Sequence, residues 1–371
     1  GFLAENADFA RAAMAAGLTW VGPAPETIEA MGDKERARER ARAAGVPILP
    51  GSARLLGADS AAVEAAGAAV GFPLLVKASA GGGGIGMKRV DDPAQLAKVA
   101  EATSGMAARA FGDGAVYFER YVPRARHVEV QVFGLGDGRA FHLFERDCST
   151  QRRFQKIVEE SPAPGLPSEV LARMAHNARV LAASENYAGA GTVEFIVDAE
   201  TGEYFFLEMN TRIQVEHPVT EMVCGVDLVA MQLRHAAGED LGPELAAVRR
   251  TGAAVECRLY AENPKKMFLP APGVLAVFET PQGMEGVRVD AGVRGGDAIT
   301  PYYDPMVAKF IGYGPDRAAA IARLIDALAA TRIEGLTTNR DFLLATLRDP
   351  AFRRGEVWTG YVDERRKDLV A

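Results

Sequence analysis

Glu208, Asn210, Arg212, Gln214 and Glu216 alternate with Met209, Thr211, Ile213 and Val215. An extended chain sends residues i, i+2 and i+4 to one side. The spacing therefore predicts a polar ridge on an apolar back, entered from the apolar run Tyr204 to Leu207. An antiparallel strand with one wet face alternates in the same way, but a solvated face tolerates Lys, Ser and Thr. This ridge holds two carboxylates, two carboxamides and an Arg, groups that bind hard cations and oxyanions. Upstream, Gly191 to Val197 reads as a second strand, interrupted only by Glu194 and joined to the ridge by the turn Asp198 to Gly202. If the two strands pair, Glu194 comes beside Glu208 and Asn210, a donor set suited to Mg²⁺. An unpaired carboxylate in that run would be costly to bury.

A second group of residues suits phosphates. Phe72 to Lys77 reads as a strand, followed by Gly81-Gly-Gly-Gly-Ile-Gly86 and then Met87 to Val90. The glycines match G-x-G-x-x-G, but a strand follows them where a dinucleotide fold needs a helix. No Gly-Lys-Ser/Thr follows, so the P-loop pattern fails too. What remains is a flap between strands, in which Gly82, Gly83 and Gly84 can bring backbone N–H groups close to phosphate oxygens. Lys77 closes the strand just before the flap. Lys34 lies in the first turn of a helix expected over Lys34–Ala44 with Asp33 as its cap, where the dipole disfavours a cation.

Further along, His127 to Phe133 and Arg139 to Phe144 read as strands, and Glu145 to Lys156 as a polar loop with four cationic side chains, an oxyanion clamp if a polyanion lies beside it. From about residue 250 the character changes to strands with Gly/Pro turns. Ala254 to Tyr260 reads as a strand carrying Glu256 and Arg258 on one face, and Tyr302 to Lys309 as another. Short pieces over residues 1–32, a helix from Asn6 to Gly17 and a strand Leu18 to Val21, read as the tail of an α/β unit.

With 371 residues, two or three domains are expected. A net charge of −7 disfavours a nucleic-acid partner, and no apolar run approaches the roughly 18 residues that span a membrane. Cys148, Cys224 and Cys257 are far apart and read as buried thiols of a reducing compartment.

These residues resemble biotin carboxylase, the ATP-grasp component of biotin-dependent carboxylases. The likeness rests on Lys77 with its glycine flap, Glu145-Arg-Asp-Cys-Ser149, Glu159-Glu-Ser-Pro-Ala-Pro164 and above all Glu208 to Glu221, and it runs from Gly1 to about Leu369. His217-Pro218 and Tyr302-Tyr-Asp-Pro-Met306 look more like the acyl-CoA carboxylase branch than pyruvate carboxylase. The resemblance implies a multidomain α/β and α+β chain. A remnant of an N-terminal α/β domain would occupy 1–32, an ATP-grasp domain 33–250 with a mobile glycine-loop lid near 50–121, and a C-terminal α+β domain 251–371. Lys34 and Lys77 would hold ATP phosphates, Glu119 and the Val122 backbone would meet adenine, and His127 and Gln151 would contact the nucleotide. Glu194, Glu208 and Asn210 would hold Mg²⁺ or Mn²⁺, with two ions expected. Lys156, Arg212, Gln214 and Val215 would seat bicarbonate, Glu216 would be its base, and Arg258 would steady the biotin enolate.

The chain departs from the family in two places: most of the N-terminal domain is missing, and Phe154 stands where His is usual. It also lacks the Ala-Met-Lys-Met sequence of a biotinylated carrier, so biotin is expected on another domain or chain, along with a carboxyltransferase and an oligomeric assembly. The location expected is the cytoplasm of a bacterium or the mitochondrial matrix of a eukaryote. Another ATP-grasp ligase that activates a different carboxylate, or a silent nucleotide-binding scaffold, are the alternatives.

Overall fold

Asn6 accepts a hydrogen bond from Phe9 N and so caps α1 (Ala7–Ala15). Leu18 to Val21, expected as a strand, is irregular in the computed structural model, which describes residues 2–79 and 86–370. No strand of the described residues pairs with it. Trp20 instead packs edge-on against Phe9 and donates to Pro23 O, and the prolines that follow open a helix the sequence reading missed, α2 (Pro25–Gly32). Asp33 caps α3 (Lys34–Ala43) through Arg36 N, as expected.

The next unit has its own small core. α4 (Ser60–Val70) and α5 (Leu96–Phe111) cover a three-stranded antiparallel sheet of order β2-β1-β3, with β1 (Leu74–Ala78), β2 (Met87–Val90) and β3 (Val116–Arg120). Leu74, Val76, Phe118 and Leu96 fill the space between them. Lys77 stands opposite Tyr117 in the β1–β3 register. Gly82, Gly83 and Gly84 lie outside the described residues. The 46–50 linker is stitched down, with Phe206 N donating to Pro47 O at 2.7 Å.

The large sheet carries the chemistry. Its eight strands are β4 (Ala125–Leu135), β5 (Ala140–Arg152), β6 (Gln155–Ser161), β7 (Ala188–Asp198), β8 (Tyr204–Asn210), β9 (Ala253–Tyr260) and the two strands Val287–Ala291 and Met306–Gly314. From one edge the order is Val287–Ala291, Met306–Gly314, β9, β6, β5, β4, β7, β8, and every pair is antiparallel. Val128, Val130 and Val132 face an apolar layer built with α6 (Ser168–Ser184), while His127, Glu129 and Gln131 take the opposite face by the two-residue period. Both faces of β4 are buried.

Three expectations are corrected here. Residues 145–156 form no polar loop: Glu145 to Arg152 continue β5, and the chain turns only at Arg153 and Phe154, both with positive φ. Their charges sit in mid-sheet because partners wait on the neighbouring strands. The polar ridge is a strand only to Asn210. Beyond it the backbone leaves the ladder and turns into α7 (His217–Cys224), with Glu216 at the N-cap and Pro218 in the first turn. Pro218 has no N–H to give a ladder but suits a helix start. Tyr302 and Tyr303 also fall outside a strand, which begins at Met306, and both rings are exposed.

α8 (Leu228–Ala236) is capped by Asp227, which accepts from Ala230 N. The helix Arg317–Ala330 packs on the β9 side of the sheet, where Val255, Cys257, Leu259, Phe310 and Leu324 share a core. Cys148 and Cys257 are buried free thiols as expected, whereas Cys224 is only partly covered. No helix of the described residues is long and apolar enough to cross a membrane.

Arg146 is the largest of the fully buried side chains, and its guanidinium links four neighbouring segments (described below). Removing one partner of a buried pair leaves the other charge uncompensated. Arg146→Ala is expected to lower stability by about 3–5 kcal/mol, read as a fall in the urea midpoint. An unchanged midpoint contradicts the assigned role.

Candidate active site

Lys156 Nζ lies 2.6 Å from Glu129 Oε2, 2.9 Å from Glu194 Oε1 and 2.6 Å from Glu216 Oε1. One ammonium thus joins β6 to β4, to β7 and to the start of α7. The register explains the meeting: Glu129 stands opposite Glu194 on one side and Arg146 on the other. Arg146 gives Nε to Glu129 Oε1 at 2.6 Å and Nη1 to Gln131 Oε1 at 2.6 Å and Thr220 Oγ1 at 2.9 Å. Its Nη2 reaches Thr192 Oγ1 at 3.1 Å and Gln214 Oε1 at 2.9 Å.

Arg258 closes the other side. Its Nε donates to Glu159 Oε1 at 2.6 Å and its Nη2 to Glu216 Oε2 at 2.8 Å. Glu216 is therefore held between Lys156 and Arg258. Burial alone would raise its pKa, but Lys156, Arg258 and Arg146 outweigh it and hold the carboxyl well below the usual range. Burial likewise opposes the charge on Lys156, and Glu129, Glu194 and Glu216 overcome it, so the ammonium is kept.

Glu194 and Glu208 are direct register partners on β7 and β8, as the hairpin reading required. Glu194 Oε1 also accepts from Asn210 Nδ2 at 2.9 Å and Gln214 Nε2 at 2.7 Å. Its Oε2 lies 2.7 Å from His127 Nε2, a contact too oblique for a good hydrogen bond but strong in Coulomb terms. Gln151 Nε2 can only donate, so His127 Nδ1, 2.8 Å away, accepts, and the ring hydrogen of the neutral form sits on Nε2, toward Glu194. Burial would lower the His127 pKa; Glu194 reverses that and raises it.

Glu208 accepts no hydrogen bond from any described residue, and burial with the neighbouring Glu194 charge pushes its pKa up. A carboxylate pair plus a carboxamide, one carboxylate left without a donor, is a donor set that a hard divalent cation fits and relieves.

On the small-sheet side, Lys77 Nζ and Arg38 both bond the Glu119 carboxylate. Glu119 thus holds a lysine and an arginine that the sequence reading did not connect to it. Arg212 gives Nε to Glu5 at 3.0 Å, Nη1 to Ile213 O at 3.2 Å and Nη2 to Asn210 Oδ1 at 3.3 Å. Val215 presents its carbonyl to Lys309 Nζ at 2.7 Å.

A single cavity of about 770 Å³ gathers these groups. Its wall includes Lys34, Lys77, Glu119, Val122, His127, Gln151 and Lys156, then Glu194, Glu208, Asn210, Arg212, Gln214, Val215, Glu216 and Arg258. Every site residue expected from sequence is there except the three glycines outside the described residues. Phe154, exposed at the β5–β6 turn, lines it too. The sequence reading missed Glu129, Gln131, Arg146, Glu159, Lys309, Arg38 and Glu5. Glu129 and Gln131 carried a usable signal, being polar alternates in the valine strand; Glu5 and Arg38 carried none.

A family model described as "Carbamoyl-phosphate synthase L chain, ATP binding domain" matches residues 33–244. Models of the biotin carboxylase N-terminal and C-terminal domains match residues 1–28 and 256–364. Biotin carboxylase 1 of Bacillus subtilis is 47% identical over 363 residues, covering 98% of this chain and 80% of that one. Among solved structures, the biotin carboxylase domain dimer of Hydrogenobacter thermophilus 2-oxoglutarate carboxylase, with MgADP, ADP and bicarbonate, superposes with a TM-score of 0.92. It is 42% identical and covers 100% of this chain and 81% of that one. A variant of Rhizobium etli pyruvate carboxylase, solved with acetyl coenzyme-A, superposes with a TM-score of 0.91 at 40% identity, over 100% of this chain and 33% of that one.

Two buried carboxyls fix a pH dependence. Burial raises Glu159 to about 7, against the pull of Arg258, and burial with the Glu159 charge raises Glu256 well above the usual carboxylate range. The folded chain therefore keeps protons that the unfolded chain has released, so stability is fullest below about pH 4.5 for this pair and is lost as pH rises through 7. The melting temperature is expected to fall between pH 5 and pH 8, and less steeply in Glu159→Gln; equal slopes in the two proteins contradict the assignment.

Proposed function

The chain belongs to the biotin carboxylase family, and on that premise we propose how its residues carry out the ATP-dependent carboxylation of biotin by bicarbonate. The observation that carries the reading is Glu216 clasped by two cations, Lys156 and Arg258, in the same cavity as Lys77 and the Glu194, Glu208 and Asn210 set.

Without ligand, each of these cations is matched to a carboxylate of the chain. An anionic substrate enters by exchange. ATP phosphates take Lys77, with Lys34 beside them, and Lys77 leaves Glu119. That carboxylate is then free to accept from the adenine edge at Val122, while His127 and Gln151 meet the rest of the nucleotide. Glu194, Glu208 and Asn210 would hold magnesium, which would neutralise charge around the triphosphate.

Bicarbonate takes N–H donors of Lys156, Arg212 and Gln214 and of the Val215 backbone. As it does so, Glu216 loses cationic partners and gains an anionic neighbour. Both changes raise its pKa, turning a carboxylate too weakly basic in the empty site into a usable base. Bicarbonate oxygen attacks the γ-phosphorus, ADP leaves, and the proton passes to Glu216, giving carboxyphosphate. This splits to CO₂ and phosphate; the released phosphate takes the N–H proton of the biotin ureido group, and CO₂ joins that nitrogen. Arg258, released from Glu216, meets the negative oxygen that develops on the ureido group.

The chain carries the first half-reaction. A carrier would present biotin to it, and a carboxyltransferase would carry out the second half-reaction. We assign an acyl-CoA as the final acceptor on His217-Pro218 and the Tyr302 to Met306 sequence; overall identity does not separate that branch from the pyruvate one.

The test is ADP release from ATP with magnesium, with and without bicarbonate and free biotin. Turnover should require bicarbonate and rise with biotin; stimulation by ammonia or an amino acid instead points to a different ligase, and nucleotide binding without turnover points to a scaffold. Glu216→Gln should bind ATP nearly normally and carboxylate about 10²-fold more slowly or worse; full turnover removes Glu216 as the base. Lys77→Ala should weaken ATP binding by titration calorimetry, and an unaltered affinity counts against its phosphate role.

A further inference from the structure

Directly beneath Arg258 lies a carboxyl group that the reaction as described does not use. Glu256 is on β9, two residues before Arg258 and on the same face, opposite Glu159 of β6. Both carboxyls are 0% exposed. Glu159 Oε1 accepts from Arg258 Nε, but Oε2 has no partner among the described residues, and neither oxygen of Glu256 has one. Directly opposed residues on antiparallel strands have Cβ atoms about 5 Å apart, within reach of a bond between their carboxyls.

The surroundings offer Glu256 no counter-ion of its own. The charged groups turned toward it are Glu159 from β6, Arg258 from its own strand and Lys309 from the strand Met306–Gly314, with Glu216 at the start of α7. Arg258 is held by Glu159 and Glu216. Lys309 donates to Val215 O and lies 3.5 Å from Asp290. His217 on α7 faces Lys309 and is pushed toward its neutral form by burial and that charge. The rest of the α7 contact is apolar, with Val219, Val223, Ala254 and Ile311 closing the space. Two ionised carboxylates facing each other here, with one guanidinium between three acids, would be strongly unfavourable. One proton between them removes the repulsion and satisfies the empty Oε2.

We propose that Glu256 is a neutral carboxylic acid whose O–H donates to the free oxygen of Glu159, and that this pair positions Arg258 for the biotin ureido oxygen. Glu159, ionised above about pH 7, orients the guanidinium through Oε1. Glu256 anchors Glu159 and withholds a third negative charge that would draw Arg258 down into the sheet. It touches no substrate; it is a positioning residue acting through Glu159. The part concerning biotin rests on the functional reading above, and the protonation does not.

Glu256→Gln keeps a donor and the shape but cannot ionise, whereas Glu256→Ala leaves Glu159 without its anchor. With the full chain and free biotin, Glu256→Ala should lower kcat/KM for biotin about tenfold, the loss of one buried hydrogen bond, with KM for ATP unchanged. Glu256→Gln should restore most of it near pH 7, and the alkaline fall of kcat/KM expected in the parent as Glu256 ionises should move upward or vanish. The infrared difference between the parent and Glu256→Gln at pH 7 should contain a protonated carboxyl C=O stretch. No such band overturns the proposal, even in a protein that shows no biotin-dependent turnover. A band with a kcat/KM profile identical in parent and Glu256→Gln, or a fully active Glu256→Ala, overturns the link to Arg258. Absence of any bicarbonate- or biotin-dependent turnover in the parent is instead the failure of the functional reading.

Discussion

Glu129, Glu194 and Glu216 come from two strands and a helix start, and all three are buried against one ammonium. The Lys156 ammonium between them makes that possible. Three carboxylates so close would otherwise repel or take up protons, and an ammonium alone would be driven neutral by burial. Each supplies the other's missing solvation. Arg146 extends the arrangement on the far side of Glu129, tying in Gln131, Thr192, Thr220 and Gln214. The polar face of the large sheet is therefore as interior as its valine face. It tolerates that only because nearly every donor there finds an acceptor.

The same balance explains how the site can take polyanions without being a standing positive hole. Lys77 rests on Glu119, Arg212 on Glu5, Lys156 on three acids, Arg258 on Glu159 and Glu216. On the functional reading proposed above, an incoming anion would take the place of a chain carboxylate, and Glu216, weakly basic between Lys156 and Arg258, would gain basicity as those cations turned to the anion.

Much of the site was legible. The alternation from Glu208 to Glu216, the lone Glu194 in an apolar strand and Lys77 before a glycine run are local patterns, and all their described members reach one cavity. The pairing of Glu194 with Glu208 followed from one short hairpin, where few registers are possible. What local reading got wrong was the segment Glu145 to Lys156. Dense charge reads as solvent exposure when the neutralising partners are unknown, and those of Arg146 lie 15 to 74 residues away.

The order of residues by itself determined the helix caps, the hairpin that sets Glu194 against Glu208, the place of Lys77 at the end of its strand and the family resemblance, because each depends on spacing within a few tens of residues. Only the folded sheet decided that β9 lies beside β6, that Arg258 therefore reaches Glu216, and that Glu159 faces Glu256. Strands 99 residues apart in the Arg258–Glu159 pair leave no periodic trace of one another. Their adjacency is set by how the whole set of apolar faces can be buried at once, and no local stretch of the chain contains that information.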